Sequence, residues 1–117
     1  MSLDRDETIA EFGRVVNMTP AALRKWLATN ESQSVGMTSE GEKVTAKGQG
    51  EAVGHQMGGR ILEIKARKQA ELTDNDLADM RKVIGYVHRP GKQRPGGDVT
   101  DTRWRHSLMN WGHDPLL

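Results

Sequence analysis

The chain has 117 residues, which is enough for one small domain. Lysine and arginine number 17 against 16 aspartate and glutamate, and the net charge of +1 argues against both a histone-like cationic coat and an acidic tail. Cysteine is absent, which excludes a disulfide framework, a thiol nucleophile and a cysteine-ligated metal. Leu, Ile, Val and Phe together make only 22 residues, but the high net charge that accompanies disorder is missing, so we expect a small folded core with a flexible segment.

Two helices are predicted before residue 30. Ile9, Phe12 and Val15 recur at three-residue steps between polar neighbours, which predicts a helix at about 5–16. Thr19-Pro20 is an N-cap followed by proline at the first helical position, and it predicts a second helix that ends near residue 29.

Residues 30–50 have a different composition. They contain no Leu, Ile, Phe, Trp or Tyr, and glycine occurs four times. Such a segment buries too little apolar area to offset the entropy lost on ordering it. We therefore predict a mobile Gly/Ser-rich loop within the domain.

The spacing of Met57, Ile61 and Ile64 predicts a third helix at about 54–69. Gly58 and Gly59 weaken its first turn by about 1 kcal/mol each relative to alanine. Their presence indicates close packing or the approach of a ligand at this point.

A fourth helix is predicted at about 74–88, with Thr73 as its N-cap. Pro90 and Gly91 are expected to stop it, and a turn-rich linker follows. Asp101 or Thr102 could then cap a short fifth helix. The fold is predicted to be all-α, a single domain spanning 1–117 with about five short helices and the long flexible loop at 30–50.

The basic residues are distributed unevenly. Residues 1–50 carry net charge −1, whereas residues 81–105 carry seven basic and two acidic residues, net +5. Cations on short helices suit contact with phosphates, because counterion release favours association. The same residues also fit an ordinary solvated, salt-bridged helical surface. The candidate nucleic-acid-binding residues are Arg60, Lys65, Arg67, Lys68, Arg81, Lys82, Arg89, Lys92, Arg94, Arg103 and Arg105.

The run Arg103-Trp104-Arg105 allows two interpretations. Arginine can bind phosphate or guanine through paired hydrogen bonds, and tryptophan can stack on a base. Alternatively, Trp104 and Trp111 lie on one helix face and pack the C-terminal segment onto the core, while the arginines point outward. The second interpretation is favoured.

No catalytic, metal-binding or cofactor-binding pattern is present. The four histidines lack metal-ligand spacing, and no hydrolase or phosphate-loop signature occurs. We expect no enzyme, no metal and no cofactor; an enzyme would need His88, His106 and His113 to converge on an acid. The chain has neither a secretory signal pattern nor a run of 18 apolar residues, so we expect a cytoplasmic protein without a membrane segment.

Four strings resemble the domain-of-unknown-function family three-one-four-zero: VVNMTPAALRKWL, GEAVGHQMGGRILEI, DMRKVIGYVHR and, most specifically, DTRWRHSLMNWGHDP. The resemblance extends from about residue 6 to 116. It implies a small helical domain of undetermined role, whose members are commonly labelled DNA-binding, and it brings no functional residues to transfer. Relatives tend to continue the fourth helix past the YVHR stretch, so Pro90-Gly91 predicts a shorter helix here. The order TPAALRKWL, flexible link, GGRILEI is also similar to SAP-type DNA-binding motifs, with a longer link.

Two functions follow as hypotheses. The first is a non-enzymatic DNA-binding module that contacts phosphates, mostly without base specificity. The alternative is a protein-interaction or stress-associated helical module in which loop 30–50 orders on a protein partner. A contiguous basic surface would favour the first, and an exposed apolar patch the second.

Overall fold

In the computed structural model, residues 3–36, 43 and 52–117 are described. They form six α-helices and one 3-10 turn, which confirms the all-α prediction. The helices are α1 (Arg5–Val15), α2 (Pro20–Leu27), α3 (Asn30–Gln33), α4 (Val53–Lys65), α5 (Asp74–Gly91) and α6 (Arg103–Asn110), and the 3-10 turn is Gln69–Glu71. No helix in these ranges is both long and apolar enough to cross a membrane.

Local capping explains where the helices begin. The Asp4 carboxylate accepts the Glu7 N–H while the Glu7 carboxylate accepts the Asp4 N–H, which is a capping box at the start of α1. Thr19 caps α2 ahead of Pro20. Thr102, not Asp101, caps α6.

One hydrophobic cluster joins the longer helices. α1 packs along α5, α2 packs against α4, and α6 contacts α2, α4 and α5. The cluster includes Phe12 of α1, Leu23 of α2, Ile61 of α4, Val83 of α5 and Met109 of α6, and Trp111, which follows α6, also belongs to it. The fully buried Leu108 of α6 adds to its attachment.

The first part of the predicted loop is ordered. Residues 30–33 form α3, which Thr29 caps, and both Ser32 and Val35 are buried. Ser32 is held by hydrogen bonds to Asn110, 78 residues away, a contact that the local composition cannot reveal. Apart from Lys43, the rest of the loop predicted at 30–50 lies outside the described residues.

The fourth helix was predicted to end at about residue 88, but α5 includes Pro90 in its last turn and ends at Gly91. Proline has no N–H, but in the last turn of a helix this removes only one hydrogen bond. The Lys92 N–H then donates to the Arg89 carbonyl at 3.3 Å and closes the turn. By contrast, α4 ends at Lys65, earlier than predicted, and the 3-10 turn follows it.

Candidate nucleic-acid interface

Arg60, one of the predicted phosphate contacts, is the centre of an ion-pair cluster between α4 and α5. Its Nε lies 2.8 Å from Asp79 Oδ2 and its Nη2 lies 2.5 Å from Asp76 Oδ1, while Nη1 is 3.5 Å from Glu63. Hydrogen bonds to Asp79 and Asp76 raise the pKa of Arg60. The guanidinium therefore joins two helices, and its charge is balanced within the protein.

Asp76 is the buried member of this cluster, with a relative exposure of 1%. Its Oδ2 accepts the Thr73 N–H at 2.9 Å, and this backbone hydrogen bond is the largest cause that lowers the pKa of Asp76 to about 2, ahead of the bond from Arg60. Arg67 Nε also lies 3.7 Å from this carboxylate. Asp76 thus attracts two of the predicted phosphate-binding arginines.

Arg105 does not point outward as the sequence predicted. Its Nε and Nη2 donate to the two oxygens of Asp114 at 3.0 and 2.9 Å, and its Nη1 donates to the Thr100 carbonyl. The bond to Asp114 raises the pKa of Arg105. Burial alone would raise the pKa of Asp114, but hydrogen bonds from Arg105 and from the Leu116 N–H lower it overall.

Arg81 is also held within the fold. Its Nε is within 3.2 Å of both the Leu3 carbonyl and Thr8 Oγ1, so it fastens the start of α1 to α5. Arg103 Nη1 likewise donates to the Ser34 carbonyl at 2.9 Å, so together with Arg60 and Arg105 these are four predicted phosphate contacts whose guanidinium groups hydrogen-bond to protein atoms.

Asn110 is a buried polar centre that the sequence analysis missed. Its Oδ1 accepts Trp26 Nε1–H at 2.8 Å and the Ser32 hydroxyl at 2.5 Å, and its Nδ2 donates to the Ser32 carbonyl at 2.9 Å. These bonds join α6 to α2 and α3. No sequence signal marks this role, because the partners lie 78 and 84 residues away.

The three histidines have separate partners. His88 Nε2 lies 2.7 Å from Glu11 Oε2, and His113 Nδ1 lies 2.7 Å from the Val15 carbonyl. The His106 ring packs against Trp26, and burial, followed by the charge of Arg105, lowers its pKa. Within the described ranges, no group of three or more potential ligands could hold a metal ion.

Six of the remaining predicted cations fall into two groups at opposite ends of α5, whereas Lys82 lies in the middle of α5 and Arg103 begins α6. Lys65, Arg67 and Lys68 are exposed at the end of α4, which leads into the start of α5. Arg89, Lys92 and Arg94 are exposed at the other end. An α-helix of 18 residues is about 27 Å long, which separates the two groups.

The outward surface of α5 carries cations and small residues. The exposed residues that recur here at three- and four-residue steps, called the α5 stripe below, are Asn75, Ala78, Lys82, Gly85, Arg89 and Lys92. The stripe contains three cations and no carboxylate. The neighbouring Asp79 is half-buried and bonded to Arg60, and its other oxygen lies 3.8 Å from Lys82.

A cleft of about 370 Å³ adjoins this surface. Its lining, called the Trp104 cleft below, is formed by Val35, Gly36, Lys43, Tyr86, Arg103, Trp104 and Ser107. The Tyr86 and Ser107 hydroxyls lie 2.7 Å apart. The Arg94 guanidinium lies over the Trp104 ring, 5.6 Å from its centroid, and does not line the cleft.

Trp104 in α6 and Trp111, the residue directly after α6, differ in burial. Trp111 is buried and stacks on Tyr86, with ring centroids 4.2 Å apart and planes 12° apart, so its predicted packing onto the core is confirmed. Trp104 is half-buried and forms a wall of the cleft instead.

The comparison with protein-family models matches residues 11–109 to DUF3140, described as a protein of unknown function. The chain belongs to the DUF3140 family. The resemblance drawn from the sequence strings is therefore confirmed. Neither the curated proteins nor the solved structures gave a significant match.

In this DUF3140 chain, the most specific string, residues 101–115, divides into two parts. Arg105, Asn110 and Asp114 are bonded inside the fold. Arg103, Trp104 and Ser107 line the cleft. Much of the string thus has a structural role, and the residues that line the cleft include Arg103, which also donates to the Ser34 carbonyl, and Ser107, which also bonds to Tyr86.

Proposed function

We propose that this protein is a non-enzymatic DNA-binding module that contacts phosphates through the α5 stripe and the rim of the Trp104 cleft. The observation that carries the proposal is the stripe itself, where Lys82, Arg89 and, just after the end of α5, Lys92 are exposed. The carboxylate paired with Lys82, that of Asp79, is shared with Arg60. Association with DNA would release condensed counterions from each phosphate that a cation neutralises.

The surroundings of the stripe support this assignment. Lys43 and Arg103 line the adjoining cleft, and Arg94 lies on its tryptophan. Gly85 has open space around its Cα, so the duplex backbone can approach the helix closely at this point. Two exposed carboxylates, Asp98 and Asp101, precede α6, which makes the α5 side the more favourable one for phosphate.

The size of the stripe fits a short stretch of duplex. A helix of about 27 Å corresponds to about 8 base pairs at ~3.4 Å each. Lys65 and Lys68, near the start of α5, are exposed and would extend the same contact.

The test is a fluorescence-anisotropy titration with labelled duplex DNA at low and moderate salt. We expect the double variant Lys82→Gln/Arg89→Gln to bind about tenfold more weakly, with a salt slope reduced by about 2. The matched control is Arg24→Gln/Lys25→Gln on α2, which removes the same charge from two exposed residues elsewhere and should change affinity less than about twofold.

Two results would overturn the proposal. One is wild-type affinity weaker than about 10⁻⁴ M at low salt, or affinity indifferent to salt. The other is an equal loss in the two double variants, which would show that only overall charge matters.

The alternative hypothesis, a protein-interaction module, has less support. The large apolar residues that are exposed in the described ranges are Val53, Leu116 and Leu117, and the last two stand at the end of the chain. They are too few for the contiguous apolar patch that marks a protein-binding surface. Recovery of a defined protein partner after nuclease treatment, with no DNA binding by the purified protein, would favour this alternative.

A further inference from the structure

We propose that the Trp104 cleft receives an unpaired nucleobase whose phosphate lies at Lys43 and Arg103, so that the protein prefers single-stranded to duplex DNA. This inference rests on the proposed function in that it concerns the same cationic surface. It names the chemical form of the ligand, which phosphate contacts alone leave open.

The aromatic walls provide the stacking surface. Trp104 is half-buried at the cleft, and Tyr86 forms a neighbouring wall. The Tyr86 ring is fixed in place because it stacks on the buried Trp111 and bonds to Ser107. Rigid aromatic rings bind bases of any sequence, since every base has a π-face.

The polar groups suit the rest of a nucleotide. The Tyr86 and Ser107 hydroxyls share one hydrogen bond, which leaves one O–H donor and several lone pairs for the edge of a base. Lys43 and Arg103 bring positive charge to the same cleft. Aromatic rings together with cationic side chains in one cleft match a base that carries a phosphate.

A base paired in a duplex cannot enter this cleft without first leaving the helix. A cleft of about 370 Å³ lies within the range of small-ligand sites, about 300–1,000 Å³, so it can accept one ring system with its sugar. Bases in a duplex are stacked and paired inside the helix, and a base must leave the stack before it can enter a protein pocket. Single strands present such bases at no unpairing cost.

The test compares three labelled DNAs of equal length: an oligothymidylate, a duplex, and an abasic deoxyribose-phosphate oligomer that keeps the phosphates alone. We expect Trp104→Leu to weaken oligothymidylate binding about tenfold and to change binding of the duplex and the abasic oligomer less than about twofold. Trp104→Phe, which keeps an aromatic ring, should retain most of the affinity. An unchanged affinity of Trp104→Leu for oligothymidylate, or equal wild-type affinity for the oligothymidylate and the abasic oligomer, would overturn the inference.

Tryptophan fluorescence of the wild-type protein gives a second measurement that does not depend on how well a variant folds. Oligothymidylate should quench the emission, whereas the abasic oligomer should not, and absence of this difference would overturn the inference. Thymidine 5′-monophosphate distinguishes the source of the ligand. If the mononucleotide displaces the oligothymidylate, the cleft accepts free nucleotides. If it does not, while Trp104 remains necessary for oligothymidylate binding, the cleft accepts a base only as part of a strand. Both results support base binding.

The outcomes also separate this inference from the proposed function. If the α5 double variant weakens duplex binding while Trp104→Leu has no effect on any DNA, the inference fails and the proposed function stands. If the duplex does not bind but oligothymidylate binds in a Trp104-dependent way, duplex recognition through α5 fails and base binding in the cleft stands.

Discussion

The guanidinium of Arg105 and the carboxylate of Asp114 form two parallel hydrogen bonds across the C-terminal end of the fold. Arg105 stands in the first turn of α6, and Asp114 follows that helix. Asp114 also exchanges two backbone hydrogen bonds with the Asn17 side chain, which ties the connection between α1 and α2 to the same point. The pair therefore lies where the segment after α6 meets the connection between α1 and α2.

We expect Arg105→Gln to lower the free energy of unfolding by about 2 kcal/mol, since it removes charge-assisted bonds and leaves a largely buried Asp114 without its partner. Arg105→Lys keeps the charge but cannot form the paired bonds, so it should lose most of the same amount. Urea unfolding measures both. The exposed Arg89→Gln serves as the control and should change stability little; a loss in Arg89→Gln as large as that in Arg105→Gln would contradict the assignment.

The buried amide of Asn110 gives a second prediction. Asn110→Ala leaves the Trp26 indole N–H and the Ser32 hydroxyl without their acceptor in a buried environment. We expect a loss of about 3 kcal/mol, because each unsatisfied buried group costs about 1–3 kcal/mol. Urea unfolding followed by circular dichroism measures it, with the exposed Asn75→Ala as a control in which a change of less than about 0.5 kcal/mol is expected. Equal stability of the two variants would show that the Asn110 bonds contribute nothing net.

The lowered pKa of Asp76 predicts that the free energy of unfolding depends on pH in the acidic range. Its pKa in the folded protein is about 2, below the ordinary value of 3.8 for this side chain, so folding stabilises the ionised form. That contribution is fully present above the unfolded pKa and is lost as the pH falls through the folded one. Asp76→Asn should therefore be less stable than the wild type near neutral pH, and the difference should narrow between about pH 4 and about pH 2.

Urea midpoints at several pH values in this window measure the narrowing. Asp74→Asn removes an exposed carboxylate from the same helix turn and should not reproduce it. A constant difference between wild type and Asp76→Asn across the window would refute the role of the Thr73 and Arg60 hydrogen bonds.

Helix starts could be predicted from the sequence because capping is local. Thr19 and Thr102 each bond to an N–H three residues ahead, and such spacing is visible in the string. Pro90 and Gly91 predicted an end at about residue 88, three residues early, because α5 keeps Pro90 in its last turn and ends at Gly91.

The bonding partners of the candidate site residues could not be predicted from the sequence, because they lie far away along the chain. The charge count identified Arg60 and Arg105 as cations, but the carboxylates that bind them lie 16, 19 and 9 residues away. The Trp104 cleft combines residues near 35, at 43, on α5 and on α6, so no local pattern contains it. The α5 stripe, by contrast, recurs at three- and four-residue steps and is therefore visible in the sequence once the helix at 74–88 is predicted.

The adjacent glycines Gly58 and Gly59 of α4 differ in the space that a Cβ atom would have. A Cβ at Gly58 would lie 2.7 Å from the backbone oxygen of Asn110 and 2.6 Å from Leu27 Cδ2, whereas a Cβ at Gly59 would meet nothing within 4 Å. Of the two explanations that the sequence left open for these glycines, close packing applies to Gly58.

We expect Gly58→Ala to destabilise the protein by about 1–3 kcal/mol, because the backbone of Asn110 cannot yield as a flexible side chain would. Gly59→Ala should stabilise it by about 0.5–1 kcal/mol, since alanine restricts the unfolded chain and favours the helix. Urea unfolding of both variants checks the opposite signs. Because the two changes are chemically identical and one residue apart in the same helix, a shared sign would mean that α4 does not pack on Asn110 and Leu27 through Gly58.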